Sequence, residues 1–289
     1  MKIHLIDGTY ELFRNHFGAP PKKSTGGVEV GATLGLMRSL LMLLQSPGVT
    51  HVAVAFDHVI ESFRNKLYSG YKTSEGVDPI LLAQFPLAEK AVSALGVVVW
   101  PMVKFEADDA LATAADRFKK IKGVEQILVC SPDKDLSQLV EGARIVCWDR
   151  RREIIIDEKG VIEKFGVIPE SIPDYLALVG DAADGYPGIQ GWGAKSTSTV
   201  LAKFKHIESI PKDPNKLGLG LGRATTLVEN LQQNYKDALL FRELSTLRKD
   251  VPLKETLSDL EWQGAYPRLK KLCQELRDER IPERVMKWR

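Results

Sequence analysis

MKIHLIDG (residues 1–8) is the stretch whose reading decides the fold. The run 2–6, apolar at Ile3, Leu5 and Ile6, reads as a buried strand and ends abruptly on an acid and a glycine, as a strand does when it leaves a sheet. The same ending recurs downstream. HVAVAFD (51–57) closes on Asp57, and QILVC (126–130) runs into SPDKD (131–135), which carries Asp133 and Asp135. Helical apolar patterns separate these runs at 30–44, 79–95 and 107–118, the first closed by Pro47-Gly48. Further strands are expected at 96–100 and 143–148, with a short helix at 134–140 between 126–130 and 143–148. Such alternation predicts an α/β domain whose mostly parallel sheet is flanked by helices. In an open parallel sheet the carboxyl ends of the strands share one crevice, where ligands bind.

From residue 158 onward helix signals dominate, at 158–165, 169–179, 196–204, 230–247 and 266–280. The segment 212–222 is rich in Gly, Pro and Lys and reads as an exposed loop. The expected division is an α/β core over 1–157 and a helical region over 158–289. Arg150-Arg151-Arg152, between two strand-like runs, reads as a hairpin turn carrying exposed charge.

Composition excludes several classes. Of 289 residues 44% are hydrophobic, enough for a real core and too many for a disordered chain. No run reaches the ~18 apolar residues of a membrane-spanning helix, and the first residues show no cleavage site for export. Cys130, Cys147 and Cys273 are odd in number and lack C-x-x-C spacing, so buried free thiols in a reducing cytoplasm are expected. Formal net charge is only +2, which by itself announces no polyanion partner. Its distribution is uneven: residues 201–289 hold 18 Lys/Arg against 13 Asp/Glu, while 1–200 hold 22 against 25. The acidic excess falls where a set of carboxylates recurs.

Those carboxylates carry the chemistry. Asp7, Asp57, Asp133 and Asp135 follow strands. Glu106, Asp108 and Asp109 open the helix expected at 107–118, with Glu106 and Asp109 one helical turn apart. Asp181 and Asp184 lie in the turn GDAADGYPG (180–188). Nine carboxylates gathered together repel unless divalent cations neutralise them, and hard cations such as Mg²⁺ take oxygen ligands and bridge to phosphates. Phosphodiester hydrolysis by two metals needs such a set. Each member also has a plainer reading: Asp108, Asp109 or Asp133 as a helix cap, Asp7-Gly8 and Asp184-Gly185 as turns. Gly188, Gly191 and Gly193 form a tight hairpin, GIQGWG (188–193), before a helix opened by Lys195 and Ser196. Its backbone N–H groups suit a phosphate backbone, although a simple turn between helices fits as well. Trp192 at its tip is expected to pack on a neighbouring helix.

LIDG (5–8), FD (56–57), EADD (106–109), SPDKD (131–135) and GDAADGYPGIQGWGAKS (180–196) resemble the successive blocks of the 5′-nuclease superfamily. That family includes flap endonucleases, phage 5′-exonucleases and the nuclease domain of DNA polymerase I. FRNKLYSGYK (63–72) and YKDALLFRELSTLRKDVPL (235–253) also resemble family segments, so the likeness spans nearly the whole chain.

The resemblance implies a PIN-like core with a helical arch near 60–86 and a helix–three-turn–helix near 170–204. It implies a first metal site at Asp7, Asp57, Glu106, Asp108 and Asp109, directly or through water, and a second at Asp133, Asp135, Asp181 and Asp184. Two Mg²⁺ or Mn²⁺ ions, a K⁺ at the hairpin, and DNA with 5′ flaps or ends as substrate follow from it, as does action on RNA–DNA hybrid by a monomer. Lys72 would contact the scissile phosphate and Arg14 would help hold the substrate. Two departures stand out. Glu75 occupies a place where the family often has arginine, for which Lys66 or Arg64 would be the substitute, and Gly185 stands where the family has asparagine. The alternatives are a PIN-type ribonuclease, which would prefer single-stranded RNA, and a non-enzymatic junction-binding protein, which would not cut.

Overall fold

The computed structural model describes all 289 residues, and contacts within the chain group into two units. The first comprises Met1–Ile60, Ser74–Ser131 and Arg248–Arg289; the second comprises Glu61–Thr73 and Pro132–Leu247.

In the first unit, strands β1 (Lys2–Asp7), β2 (His51–Asp57), β3 (Val98–Met102) and β4 (Gln126–Cys130) are parallel. β1 lies between β2 and β4, with Asp7 opposite Ala55 and Ile6 opposite Cys130, and β3 lies beyond β2. The chain thus reverses its direction of travel across the sheet at β1, and Asp7 stands at the carboxyl end there. This is the position at which open α/β sheets bind ligands. Helices Gly8–Gly18, Phe85–Ala94 and Ala107–Phe118 pack on the strands, and Gly31–Leu44 packs on the first two of these helices. Ile3, Leu5, Ile6, Val54, Phe56, Ile127 and Val129 are fully buried. Each such apolar side chain contributes roughly 1.5–3 kcal/mol by leaving water.

Asp7-Gly8 is not a turn. Gly8 opens the helix Gly8–Gly18, and Asp7 caps it by accepting the Tyr10 N–H at 2.8 Å. A Cβ at Gly8 would lie 2.6 Å from Val54 Cγ1 and Phe56 Cε1 and 2.7 Å from the Ala55 carbonyl. The glycine is there because the helix start touches β2. Gly8→Val is expected to destabilise the protein by about 1–3 kcal/mol through overpacking, lowering the thermal midpoint by several degrees. An unchanged melting curve would contradict this packing.

In the second unit β5 (Ile145–Asp149) and β6 (Ile154–Ile156) form an antiparallel hairpin, turned by Arg150, Arg151 and Arg152 as expected. Helices Glu158–Phe165, Ile172–Val179, Ala194–Phe204, Leu221–Gln233 and Tyr235–Ser245 follow. Buried Asp174 ties several of them together, accepting from the Ile207 N–H, His206 and Arg242.

Several expected elements differ in extent. The helix expected over 79–95 is two, Pro79–Leu82 and Phe85–Ala94, because Pro86 restarts the geometry one residue into the second. The helix expected over 230–247 is interrupted at Asn234, and the expected loop 212–222 already contains the first residues of Leu221–Gln233. The expected 266–280 helix shortens to Arg268–Glu275. The region expected to form a helical arch holds the helical turns Arg64–Leu67 and Pro79–Leu82 and the first residues of Phe85–Ala94. Gly70, Gly76 and Pro79 disfavour a longer helix. No helix is long and apolar enough to cross a membrane.

Candidate metal centre

The first unit presents its acids at strand and helix ends. Asp7 Oδ2 accepts the Ser131 hydroxyl at 2.8 Å, joining the ends of β1 and β4. Asp57 Oδ1 accepts the Ala107 N–H at 2.7 Å, and its own N–H donates to Thr9 Oγ1. A carboxylate is thereby seated at the N-terminus of helix Ala107–Phe118, where the helix dipole favours negative charge. Glu106 is buried and Asp108 is half-buried. Asp109 is fully buried and accepts two backbone N–H groups, from Glu106 at 3.0 Å and Arg248 at 2.8 Å. It closes a capping box at the helix start, so its geometry suits an indirect, water-bridged part.

The second unit brings three expected ligands into one group. Oxygens of Asp135, Asp181 and Asp184 lie within 4.8 Å of one another. Asp135 opens a 3-10 turn (Asp135–Leu139), and Asp133 Oδ1 accepts the Asp135 N–H at 2.9 Å, which leaves Asp133 exposed beside the group. Asp181 Oδ1 accepts the Ala183 N–H at 3.0 Å in the turn that carries Asp184. Burial, followed by the charges of Asp133, Asp184 and Asp181, pushes the Asp135 carboxyl well above the usual range. Its buried Oδ1 has no hydrogen-bond partner. A buried acceptor without a donor is costly, and a divalent cation removes both the repulsion and the orphaned acceptor. The donor set, carboxylate oxygen alone, fits a hard cation.

Two lysines face this group. Lys134 Nζ lies 2.8 Å from Asp181 Oδ2 and Lys72 Nζ lies 3.0 Å from Asp184 Oδ1. Burial works against the Lys134 charge, yet its bond to Asp181 and the charges of Asp181, Asp135 and Asp133 hold its pKa above the ordinary value. Burial, followed by the charges of Asp135, Asp184 and Asp181, raises the Tyr186 phenol, so it stays protonated. Sequence reasoning named neither Lys134 nor Tyr186, although each lies within two residues of an expected ligand. Arg64 is a correction: it is 1% exposed and donates to the carbonyls of Leu244 and Thr246, so it cannot replace the arginine missing at Glu75. Arg14 is half-buried in the first unit and is held by Glu11 at 2.5 Å and Ser39 at 3.4 Å.

The hairpin is built as expected. Gly188 (φ +72°) packs on Gly180 (φ +88°), where a Cβ on Gly188 would lie 2.4 Å from the Gly180 nitrogen. Gly191 also has positive φ, Gly193 is exposed, and Lys195 is exposed at the start of helix Ala194–Phe204. The Ser196 hydroxyl is turned inward, bonding the Gly193 backbone. Trp192 is buried and donates to the Leu227 carbonyl, as packing required.

Comparison with known proteins places the chain in a family. The 5′-3′ exonuclease N-terminal, resolvase-like domain matches residues 2–166, and the 5′-3′ exonuclease C-terminal SAM fold matches 167–268. A 5′-3′ exonuclease from Aquifex aeolicus is 34% identical over 276 residues, covering 95% of this chain and 91% of that protein. DNA polymerase I of Bacillus caldotenax is 32% identical over 269 residues, and the chain spans only 30% of its length. In structure, the bacteriophage T5 flap endonuclease in complex with DNA and metal ions superposes with a TM-score of 0.67 at 16% identity, covering 98% of this chain and 96% of that one, a likeness of fold. Two adjoining domain matches and a relative alike along nearly its whole length make this chain a member of the 5′-3′ exonuclease family.

Proposed function

We propose that this protein is a divalent-metal-dependent 5′ nuclease, acting as 5′-3′ exonuclease and flap endonuclease on DNA with 5′ flaps or ends. The observation that carries the reading is the trio of buried Asp135 and Asp181 with half-buried Asp184, in which an Asp135 oxygen lacks a hydrogen-bond donor. In this reading Asp133, Asp135, Asp181 and Asp184 hold one divalent cation. Asp7, Asp57, Glu106 and Asp108 hold a second, with Asp109 fixing the helix start beneath them. Bound Mg²⁺ or Mn²⁺ supplies Lewis acidity to the phosphate and lowers the pKa of water. Lys72 places its ammonium against a phosphate oxygen, where positive charge stabilises the transition state. Arg14, braced by Glu11 and Ser39, steadies the substrate backbone. Gly188, Gly191, Gly193, Lys195 and Ser196 take the duplex backbone without reading sequence, with a K⁺ among the hairpin carbonyls. By family likeness the roles are flap removal, RNA-primer removal and repair in the cytoplasm by a monomer, with the nuclease core in 1–157 and the duplex grip near 170–204.

A gel assay on a 5′-flapped duplex tests this reading. Cutting is expected with Mg²⁺ and none with EDTA, and single-stranded RNA should be cut far more slowly; the reverse preference would favour a ribonuclease. Stability supplies an independent check. The raised Asp135 pKa means that its contribution is present below the unfolded carboxylate range, ~4, and is lost as pH rises through its folded value. A divalent cation compensates for what is lost, so the thermal shift caused by Mn²⁺ should be larger near about pH 8 than near about pH 5. A shift independent of pH would count against the trio as a cation site.

A further inference from the structure

The lysine expected to meet the phosphate sits in an irregular loop, which poses the question of what holds it. Three contacts inside the second unit answer it. Buried Arg64 fastens the turn Arg64–Leu67 to the chain through the carbonyls of Leu244 at 2.7 Å and Thr246 at 3.2 Å. The neighbouring Asn65 reaches across the loop. Its Oδ1 accepts the Ser62 N–H at 2.8 Å, and its Nδ2 donates to the Lys72 carbonyl at 2.9 Å and, more weakly, to that of Tyr71 at 3.4 Å. At the far end the Lys72 N–H donates to the Asp184 carbonyl at 3.0 Å. That last contact depends on Gly185, where a Cβ would lie 2.1 Å from the Gly70 carbonyl and where φ is +85°.

We infer that Asn65 and Gly185 are positioning residues: the Asn65 carboxamide and the absent side chain of Gly185 together seat Lys72 on the turn that carries Asp181 and Asp184. Asn65 fixes the Lys72 backbone from one side, and Gly185 lets the loop come close enough for Asp184 to hold it from the other. A lysine side chain is long and flexible, and a displacement of about 1 Å at a reacting group can cost on the order of 10²-fold in rate. The departure at position 185 thereby acquires a physical reason, because an asparagine there would push the Lys72 loop off the metal-binding turn.

This inference rests on the reading of Lys72 as a phosphate contact, and the experiment separates the two. Single-turnover cleavage of a 5′-flapped duplex, KM for that duplex and Mn²⁺ affinity by calorimetry would be measured for the full chain and for Asn65→Ala, Asn65→Asp, Gly185→Ala, Lys72→Ala and Asn65→Ala/Lys72→Ala. Asn65→Asp keeps the acceptor for Ser62 and loses the donor to Lys72. An asparagine needed only for its bond to Ser62 would tolerate the exchange, whereas one that holds Lys72 would not. The expected result is a tenfold or greater loss of cleavage rate in all three positioning variants, with KM and Mn²⁺ affinity unchanged and no further loss when Asn65→Ala is added to Lys72→Ala. Wild-type rates in Asn65→Asp and Gly185→Ala, beside a strong loss in Lys72→Ala, would overturn the inference alone. Full activity in Lys72→Ala would overturn the reading of Lys72 on which it rests.

Discussion

Asp181→Ala is expected to lower the cleavage rate on a 5′-flapped duplex by at least about 10³-fold, since the contribution of a bound metal is several kcal/mol and each 1.36 kcal/mol is tenfold. Binding of the flap should change little, because the hairpin at 188–196, the proposed grip on the duplex backbone, is untouched. The fold should also survive. Asp181 is 4% exposed, accepts from Lys134 and the Ala183 N–H, and repels Asp135 and Asp184 across less than 4.8 Å. Removing one of three crowded carboxylates takes away one of the charges that hold the Asp135 pKa up, which offsets part of the lost contacts. The metal-free variant should therefore melt close to wild type, while the midpoint gain on adding Mn²⁺ shrinks to what the Asp7, Asp57, Glu106 and Asp108 site supplies. Full activity in this variant, or a metal-induced shift as large as in wild type, would rule out the trio as the catalytic cation site.

Lys72→Ala is expected to reduce kcat by roughly 10²–10³-fold with a small change in KM, the signature of a charge used chiefly in the transition state. The ammonium lies 3.0 Å from Asp184 Oδ1, so a bound cation and the lysine compete for that carboxylate. Removing the lysine is expected to leave Mn²⁺ affinity equal or somewhat higher. Lowered metal affinity with kcat intact would instead make Lys72 a structural counter-ion. Lys134, 2.8 Å from Asp181, is the nearest substitute for the lost charge, and calorimetry on Lys72→Ala would register its compensation.

Strand identity and the acid at each strand end were legible in the chain because both are local properties. Apolar runs of strand length bury themselves, and the acid that ends a run marks where the chain leaves the sheet; Asp7 and Asp57 lie where LIDG and AFD place them. The hairpin at 188–193 was legible for the same reason, since positive φ at Gly188 and Gly191 belongs to the residue itself. Helix limits were less so. The break at Asn234 and the restart at Pro86 interrupt patterns whose apolar spacing continues across them.

By itself, then, the sequence determined which segments are strands, which residues carry negative charge at their ends, and which family the order of those acids resembles. Tertiary structure alone decided the rest. It chose Asp135, Asp181 and Asp184 as the tight group and turned Asp109 toward backbone donors. It also buried Arg64, aimed Lys134 at Asp181 and left no room for a side chain at Gly8 or Gly185. The physical reason is common to all of these. A residue's type and spacing fix its local conformation, but the distance between groups far apart along the chain, and hence their electrostatic coupling and steric clearance, exists only once the segments have packed.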